Sequence, residues 1–411
     1  MTVASTSDNI QSKQQFQIPV GELEIGMYIS RLDRPWEETP FLFQGFILDN
    51  FKDLQLIQDL CQHVYIDVLE EIQRQGGGEG EEVKRKRTYV NKISADKELA
   101  AANIALVDVQ KDTHLMLQSL KLGNAINVEK TKSVVANCVE SILRNDSAMV
   151  FLAQMKQCDE EMAQHSLQVC ILAISFARHL GMAEFELENM GICSLLHDVG
   201  KVKVPEKILK KRGKRTQAEE AIYRKHPEFG KQLLMSKSSI YPGVVDIAYC
   251  HHERVDGKGF PRGIGAENIP YFAKIIAIVD AYVNYTTENR NGLPLSSAEA
   301  LRLIFESRNK HFDSTLVKQF IQLVGICPPG NIVEMSNGEV GVILSSDSRY
   351  KLRPKVLLLL DQYKQPGTKT VVDLAKGAVD YFGRPYMVKR VHPNGVYDLD
   401  VNDLDLSEFG K

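Results

Sequence analysis

The sequence predicts a multidomain protein with a mainly α-helical bundle core, a small N-terminal α+β or β module and a C-terminal β extension. The first observation is the length of 411 residues, which is long for a single domain. The second is the glycine-rich and highly charged stretch QRQGGGEGEEVKRKRT over 73–88, which is typical of a linker. The third is a pattern that changes from β-type alternation to helical periodicity and back along the chain.

The bulk composition excludes several classes of protein. A hydrophobic fraction of 44% is that of a globular protein, and a net charge of −3 argues against a nucleic-acid partner. No apolar run is long enough for a membrane span, and the first residues lack the apolar core of a signal peptide. The seven cysteines form no CxxC pair, which fits free thiols in a reducing compartment. We therefore expect a cytoplasmic location.

The N-terminal part combines short apolar stretches with turn residues. The segments FQIPVGELEIGMYIS, FLFQGFILD and HVYIDV alternate as strands do, which predicts an accessory module over 1–75. The polar stretch that follows predicts a flexible linker over 76–93.

The middle of the chain has a helical pattern. We expect connecting helices over 94–144 and a helical domain over 145–326. In HSLQVCILAISFARHLG, an apolar stripe shares a helix face with His165. A lone histidine in this position is usually an ordinary core residue.

The last part of the chain returns to β-type segments. NIVEMSNGEVGVILS, PKVLLLLD, KTVVDL and YMVKRV are typical of short strands, and the Asn-Gly pair at 337–338 indicates a hairpin. The residues 327–411 are therefore predicted to form a β-rich extension packed on the helical body.

The stretch SLLHDVGKVKVP places His197 and Asp198 after an apolar helix. An aspartate has two oxygens and can bind two ions at once, whereas a neutral imidazole binds one. The pair can therefore begin a two-metal site. We expect Gly200 to end the helix, and Lys201 beyond it can hold an anion close to the ions.

Further histidines and carboxylates follow or precede apolar segments. They are His226 in YRKHPEFG, His251 and His252 in YCHHERVDGKGFP, Asp280 in AKIIAIVDAYV, and Glu161 one turn before His165. Each is ordinary when taken singly. Together they predict one polar cluster within a helical core, for which a metal centre is the simplest explanation. Imidazole and carboxylate ligands without cysteine favour iron or manganese over a structural zinc.

The order of these motifs resembles that of a known family. HDVGK with an upstream histidine is similar to the HD superfamily of metal-dependent phosphohydrolases, and HHERVDGKGFPRG resembles the signature of its HD-GYP branch. The resemblance covers about residues 145–325, and more weakly the N-terminal module.

The resemblance implies an HD-type bundle that hydrolyses cyclic di-GMP to pGpG, a product that some members hydrolyse further to GMP. It implies one ion held by His165, His197, Asp198 and Asp280, and a second held by Asp198, His226, His251 and His252. Lys201 would bind a substrate phosphate, and both Asp198 and Lys201 would act in catalysis. Some members with a glutamate at the position of Glu161 hold a third ion.

The chain also departs from the family pattern. The signature tyrosine is Phe260, and the aspartate usual three residues after Asp280 is Val283. In the segment TTENRNG that follows, Arg290 is the candidate substrate contact. The signature loop comprises Glu253, Arg254, Asp256, Gly257, Gly259, Phe260 and Pro261. An Arg254–Asp256 ion pair is expected to close it, and glycines to give it backbone angles closed to other residues.

Several alternatives stay open. The chain could be a catalytically weak sensor of cyclic dinucleotides, which the changes at Phe260 and Val283 favour. It could hydrolyse 3′,3′-cyclic GMP-AMP or, with less support, a nucleoside monophosphate. Helices over 94–145 could pair in a homodimer, and the resemblance suggests a GGDEF-type cyclase as a partner for the signature loop.

Overall fold

The computed structural model describes residues 11–23, 28–29, 31–34, 46–48, 51–71, 87, 89–154, 161–211, 213–235, 241–287, 294–325, 327–345, 353–401 and 404. The chain divides into two compact units, residues 1–85 and 86–411. Most of the linker expected over 76–93 lies outside the described residues. The domain bounds given above stay predictions.

The first unit is an α+β module. Its elements are β1 Gln11–Pro19, β2 Tyr28–Ile29, β3 Arg31–Leu32, β4 Phe46–Ile47, α1 Phe51–Leu60 and β5 His63–Glu71. The strands β1, β5 and β3 form an antiparallel sheet in that order, and β2 pairs with β4. Its core is closed by buried apolar residues, namely Leu23, Ile29, Leu32, Leu48, Ile57, Cys61 and Val64.

The second unit begins with a helical body, as predicted. Its helices are α2 Ala95–Lys121, α3 Val128–Arg144, α4 Asp146–Gln154, α5 Glu161–His179, α6 Glu184–Leu196, α7 Glu206–Leu209, α8 Gln217–Tyr223, α9 His226–Met235, α10 Gly243–Cys250, α11 Tyr271–Thr286, α12 Ser297–Glu306 and α13 Ser314–Val324. The helix α5 packs against α4, α6 and α11 and is buried along most of its length. Phe176 of α5 meets Phe320 of α13 edge to face, with ring centroids 5.1 Å apart.

A five-stranded antiparallel sheet completes the second unit. Its strands are β6 Ile332–Met335, β7 Val340–Ser345, β8 Lys355–Leu360, β9 Pro366–Asp373 and β10 Val388–His392, in the order β10-β6-β7-β8-β9. The predicted hairpin at 337–338 joins β6 to β7. Asn331 ties the sheet to the helical body, because it hydrogen-bonds Ser297 at 3.0 Å and Gln154 at 3.2 Å. The expected β extension on the helical body is confirmed.

Two expectations from composition can be compared with the described residues. The described cysteines, Cys61, Cys138, Cys170, Cys193, Cys250 and Cys327, are all free and buried. Among the helices of the described part of the chain, none is both long and apolar enough to cross a membrane.

A close backbone contact joins the end of α6 to α9. The helix α6 ends at Leu196, earlier than expected, and Gly200 lies in a 3-10 turn, Val199–Lys203. A Cβ at Gly200 would lie 1.9 Å from the carbonyl oxygen of His226 and 2.4 Å from the backbone nitrogen of Gly230. Gly200 is therefore required by the close approach of two backbones rather than by the end of a helix.

We predict that Gly200→Ala destabilises the protein by about 1–3 kcal/mol, because the added methyl group can be placed only by moving α9. The matched control is Gly230→Ala on the other side of the same contact, where a Cβ would have its nearest neighbour at 3.5 Å. This control should be neutral or stabilising by up to about 1 kcal/mol, since alanine favours a helix over glycine. Chemical denaturation of both variants measures the difference, and equal stabilities would contradict the account.

Candidate metal centre

The ends of several helices meet around one buried aspartate. His197 and Asp198 follow α6, His226 is the first residue of α9, and His251 and His252 follow α10. Asp280 lies within α11, and His165 lies in the second turn of α5. The structure thus brings together the seven residues His165, His197, Asp198, His226, His251, His252 and Asp280.

Three of the imidazoles are oriented by the same local hydrogen bond. Nδ1 of His197, His226 and His251 lies 2.6, 2.7 and 2.9 Å from a backbone carbonyl oxygen. The carbonyls belong to the residues three positions earlier, Ser194, Tyr223 and Ala248. A carbonyl can only accept, so Nδ1 carries the hydrogen and donates it. Nε2 is therefore the nitrogen of each ring that faces the centre of the cluster and is placed to bind a cation.

The two oxygens of Asp198 face two different sets of imidazoles. Oδ1 lies 3.2 Å from Nε2 of His226 and 3.5 Å from Nε2 of His251. Oδ2 lies 3.4 Å from Nε2 of His197 and 3.7 Å from Nε2 of His165. This carboxylate therefore belongs to two donor groups at once.

Each donor group has four members whose ligand atoms lie within 4.8 Å of one another. The first group is Asp198, His226, His251 and His252. The second group is His165, His197, Asp198 and Asp280. Both sets match the division that the family resemblance implies.

The donor atoms of the cluster are poorly satisfied by hydrogen bonds to one another and are suited to bind cations. Nε2 of His165, His197 and His252 and Oδ1 of Asp198 are buried without a hydrogen-bond partner. Nε2 of His226 lies 3.3 Å from Nε2 of His251, and because the Nδ1 atoms donate elsewhere, two lone pairs face each other when both rings are neutral. Buried polar atoms without partners are costly, and lone pairs that face each other repel. Divalent cations would satisfy all of these atoms, so the chain has a site for divalent metal ions.

The charges of the cluster shift the pKa values of its imidazoles in opposite directions. Burial lowers the pKa of His197, but the carboxylates of Asp198 and Asp280 outweigh burial and raise this pKa to about 10. Burial, joined by the charges of His197 and His226, lowers the pKa of His251 to about 4. A cation at His197 therefore competes with a proton, so that metal binding strengthens as the pH rises.

Lys201 and Asn284 hold the two carboxylates. Lys201 Nζ donates to Oδ2 of Asp198. Asn284 Nδ2 donates to Oδ1 of Asp280 at 2.8 Å, and that same oxygen lies 2.9 Å from His165 Nε2. Asn284 was not among the residues predicted from the sequence. Its position one helical turn after Asp280 indicates that the two side chains can meet.

Glu161 and Arg290 differ from the other predicted residues. Glu161 begins α5 with an exposed side chain, and neither donor group includes it. Arg290 lies outside the described residues. The roles assigned to both residues stay predictions.

The signature loop is held from within by carboxylates. The buried Glu253 accepts hydrogen bonds from the backbone nitrogens of Arg262 at 2.7 Å and Ile264 at 3.1 Å. The expected ion pair is present, with Arg254 Nε 3.0 Å from Asp256 Oδ1. The loop is therefore fixed by hydrogen bonds from its backbone and side chains to the carboxylates of Glu253 and Asp256.

The loop also packs an aromatic ring on the metal centre. Phe260, which precedes Pro261, stacks on the imidazole of His252 with ring centroids 4.6 Å apart. Gly257 has the positive φ, +73°, that was expected of the loop glycines. Gly259 differs, because a Cβ there would lie 2.4 Å from the backbone nitrogen of Arg254. It is required by close approach and not by a special backbone angle.

Comparison with known proteins agrees with this geometry. Residues 147–316 match the HD domain, and residues 15–131 match a domain of unknown function, DUF3391. A cyclic di-GMP phosphodiesterase of Pseudomonas aeruginosa is 32% identical over 374 residues, which cover 88% of this chain and 89% of that protein. A 3′3′-cGAMP-specific phosphodiesterase of Vibrio cholerae is 32% identical over 163 residues, which cover 39% of this chain and 31% of that protein.

Among solved structures, an HD-GYP-type protein from Bdellovibrio bacteriovorus, Bd1817, has 17% identity and a TM-score of 0.47, covering 76% of this chain and 99% of that one. Family membership rests on the Pseudomonas relative, whose similarity extends over almost the full length of both chains. Together with the HD-domain match and the histidine–aspartate cluster, this similarity shows that the chain belongs to the HD-GYP family of HD-domain proteins.

Proposed function

We propose that this chain is a metal-dependent phosphodiesterase that hydrolyses cyclic di-GMP to linear pGpG, with hydrolysis of pGpG to GMP as a further step. The observation that carries the proposal is the position of Asp198, whose two oxygens face two separate sets of imidazoles. The substrate assignment is supported by the name and the near full-length similarity of the Pseudomonas relative.

The ligand sets follow from the two donor groups. We propose that His165, His197, Asp198 and Asp280 hold one ion, and that Asp198, His226, His251 and His252 hold the other. Mixed imidazole and carboxylate donors without a thiolate suit iron or manganese. Glu161 would contribute to a third ion, since it lies one turn before His165 on α5.

The chemistry required is the addition of water to a phosphodiester. Two divalent ions, when bound, lower the pKa of a bound water and neutralise charge on the phosphoryl oxygens. Water adds to phosphorus, the P–O3′ bond breaks and the released 3′ oxygen takes up a proton. Lys201 stays charged, because the carboxylate of Asp198 outweighs burial and raises the pKa of this ammonium group. Its role in the proposal is to orient a phosphate beside the ligands.

One alternative substrate has specific support. The Vibrio relative named for 3′3′-cGAMP has the same 32% identity as the Pseudomonas relative, although over a shorter stretch. A sensor with little turnover is less well supported. Val283, one of the two changes that motivate it, is buried, and all seven histidine and aspartate ligands implied by the resemblance are present.

Metal content and activity test the proposal together. Asp198→Ala should lose both shared ions, and hydrolysis of cyclic di-GMP should fall more than about 1,000-fold, because loss of a single stabilising group alone can cost that much. Glu161→Gln should lose one ion and keep two. The control is Asp246→Ala, an exposed carboxylate on α10 that belongs to neither donor group.

Elemental analysis of manganese-loaded protein and chromatography of the products measure both quantities. Hydrolysis at the wild-type rate by the metal-free Asp198→Ala variant would contradict the proposed function. Wild type with no more than two ions after full loading would remove the third-ion proposal alone.

We also propose that the chain forms a homodimer through α2. One face of this helix exposes Ile104, Val107 and Leu115, whose side chains are 69%, 52% and 42% accessible. Asp108 and Lys111 are exposed on the same face. If two copies pair antiparallel about an axis between Val109 and Gln110, Ile104 lies opposite Leu115 and Asp108 lies opposite Lys111. The face is therefore complementary to itself in both apolar contact and charge.

The dimer is tested by reversing these charges. Lys111→Glu should shift the protein to monomer, because it places like charges opposite each other twice. The double variant Asp108→Lys with Lys111→Glu should restore the dimer, since the opposite charges pair again. Analytical ultracentrifugation at micromolar concentrations measures the change. A wild-type monomer, or a Lys111→Glu variant that dimerises like wild type, would overturn the proposal.

The second proposed protein partner is a GGDEF-type cyclase that binds the signature loop. Its support is that hydrogen bonds fix the loop while the side chains of Lys258 and Arg262 stay exposed. Lys258→Glu should weaken binding of a purified cyclase domain at least tenfold by calorimetry, without a change in metal content. Unchanged affinity, or no binding by the wild type, would exclude this surface.

A further inference from the structure

Two aromatic rings lie against the imidazoles of the metal centre on the side of α8 and the signature loop. The ring of Tyr223 lies 4.9 Å from that of His226, and the ring of Phe260 stacks on His252 at 4.6 Å. Tyr223 also accepts the orienting hydrogen bond of His226 through its carbonyl. Both rings are therefore in direct contact with proposed metal ligands.

Each of these rings carries a guanidinium group in turn. The guanidinium carbon of Arg215 lies 3.7 Å from the ring centroid of Tyr223. That of Arg224 lies 5.0 Å from the ring centroid of Phe260. These distances are typical of cation–π contacts. Two charged groups are thus placed one aromatic ring away from the ligand imidazoles.

A single carboxylate joins the two guanidinium groups. Glu220 Oε1 accepts a hydrogen bond from Arg224 Nε at 3.0 Å, and its Oε2 lies 3.6 Å from Arg215 Nη1. We name the set of Arg215, Glu220 and Arg224 the Arg–Glu–Arg clasp. It combines donors and an acceptor at fixed positions beside the metal centre.

The clasp contributes little to the folding stability of the protein. The helix α8 buries none of its residues, and exposed ion pairs contribute only about 0–1 kcal/mol. The start of this helix is already fixed by a capping box between Thr216 and Glu219. The position of the clasp next to the metal centre points instead to substrate binding.

The donors and the acceptor of the clasp complement guanine. Guanine presents acceptors at O6 and N7, to which arginine can donate two hydrogen bonds. It also presents donors at N1 and N2, from which a carboxylate can accept hydrogen bonds. Adenine has a donor at N6 and lacks the N2 amino group, so that it offers the wrong pattern to both groups. Guanidinium planes also stack on bases.

The position of the clasp relative to Lys201 also matches the separation of a phosphate and a base in a nucleotide. Lys201 Nζ lies 5.7 Å from the ring centroid of Tyr223, and Arg215 contacts the same ring. Lys201 contacts Asp198 at the metal centre, where a phosphate would be hydrolysed. Phosphate at Lys201 and base at the clasp would then occupy successive positions.

We propose that the Arg–Glu–Arg clasp binds a guanine base of the dinucleotide and selects guanine over adenine. This inference rests on the proposed phosphodiesterase function and assigns the residues that give it base specificity. Because the clasp contacts the base and not the reacting phosphate, its loss should act mainly on KM.

The test compares kcat/KM for cyclic di-GMP, 3′,3′-cyclic GMP-AMP and cyclic di-AMP in manganese-loaded wild type and variants. Glu220→Gln and Arg224→Ala should each lower kcat/KM for cyclic di-GMP about 10- to 100-fold, mainly through KM, and leave that for cyclic di-AMP within about threefold. The guanine-to-adenine preference should therefore fall at least tenfold. Cyclic GMP-AMP should lie between the two.

The matched control is Glu206→Gln on α7, which removes an exposed ion pair to Lys210 of the same i,i+4 type away from the clasp. It should leave all three values unchanged. A purely structural role of the clasp would lower the three values equally, and this result, or an unchanged preference, overturns the inference while the phosphodiesterase function stands. A loaded wild type that hydrolyses none of the three substrates overturns both.

Discussion

The structure of the metal centre depends on one short-range interaction, the hydrogen bond from an imidazole Nδ1 to the carbonyl three residues earlier. It occurs at His197, His226 and His251. Each bond uses a carbonyl in the last turn of a helix or in the turn before one, where main-chain acceptors lack intrahelical partners. Because it fixes the orientation of each ring, it directs three Nε2 atoms towards Asp198 before any cation is present.

The rest of the helical body holds these rings at the required distance. Gly200 allows the turn after Asp198 to touch the start of α9, which begins with His226. The cost is a cluster of buried atoms without hydrogen bonds and two imidazole nitrogens that face each other. These buried atoms lower the stability of the metal-free protein, and bound cations would restore it. The fold therefore places the ligands before metal binds. The carboxylates of Asp198 and Asp280 that would hold the cations also raise the pKa of His197.

Much of the site could be predicted from the sequence, because its ligands lie in short motifs at the ends of apolar helices. The convergence of His197, His226 and the pair at 251–252 follows that prediction. What could not be predicted depends on side-chain rotamers and on close backbone contacts within folded loops. Asn284 contacts Asp280 because its side chain turns back along the helix, and the need for Gly259 arises from the backbone of Arg254, five residues earlier in a folded loop.

The fold shows the same division. The strand-type segments after residue 327 and the hairpin at 337–338 were predictable, since alternation and turn residues are local signals. The end of α6 at Leu196 was not, because Gly200 is required by the contact with α9 and does not mark the end of the helix. The clasp was also missed, because only the contact of Arg224 with Phe260, which lies far along the chain, places it beside the metal centre.

Anomalous diffraction from crystals of the manganese-loaded protein would locate the bound ions. Two peaks should share Asp198, one oxygen to each, with the imidazoles bound through Nε2 and their Nδ1 atoms still donating to the carbonyls of Ser194, Tyr223 and Ala248. Peaks that do not share Asp198, or imidazoles bound through Nδ1 with these hydrogen bonds broken, would contradict this arrangement.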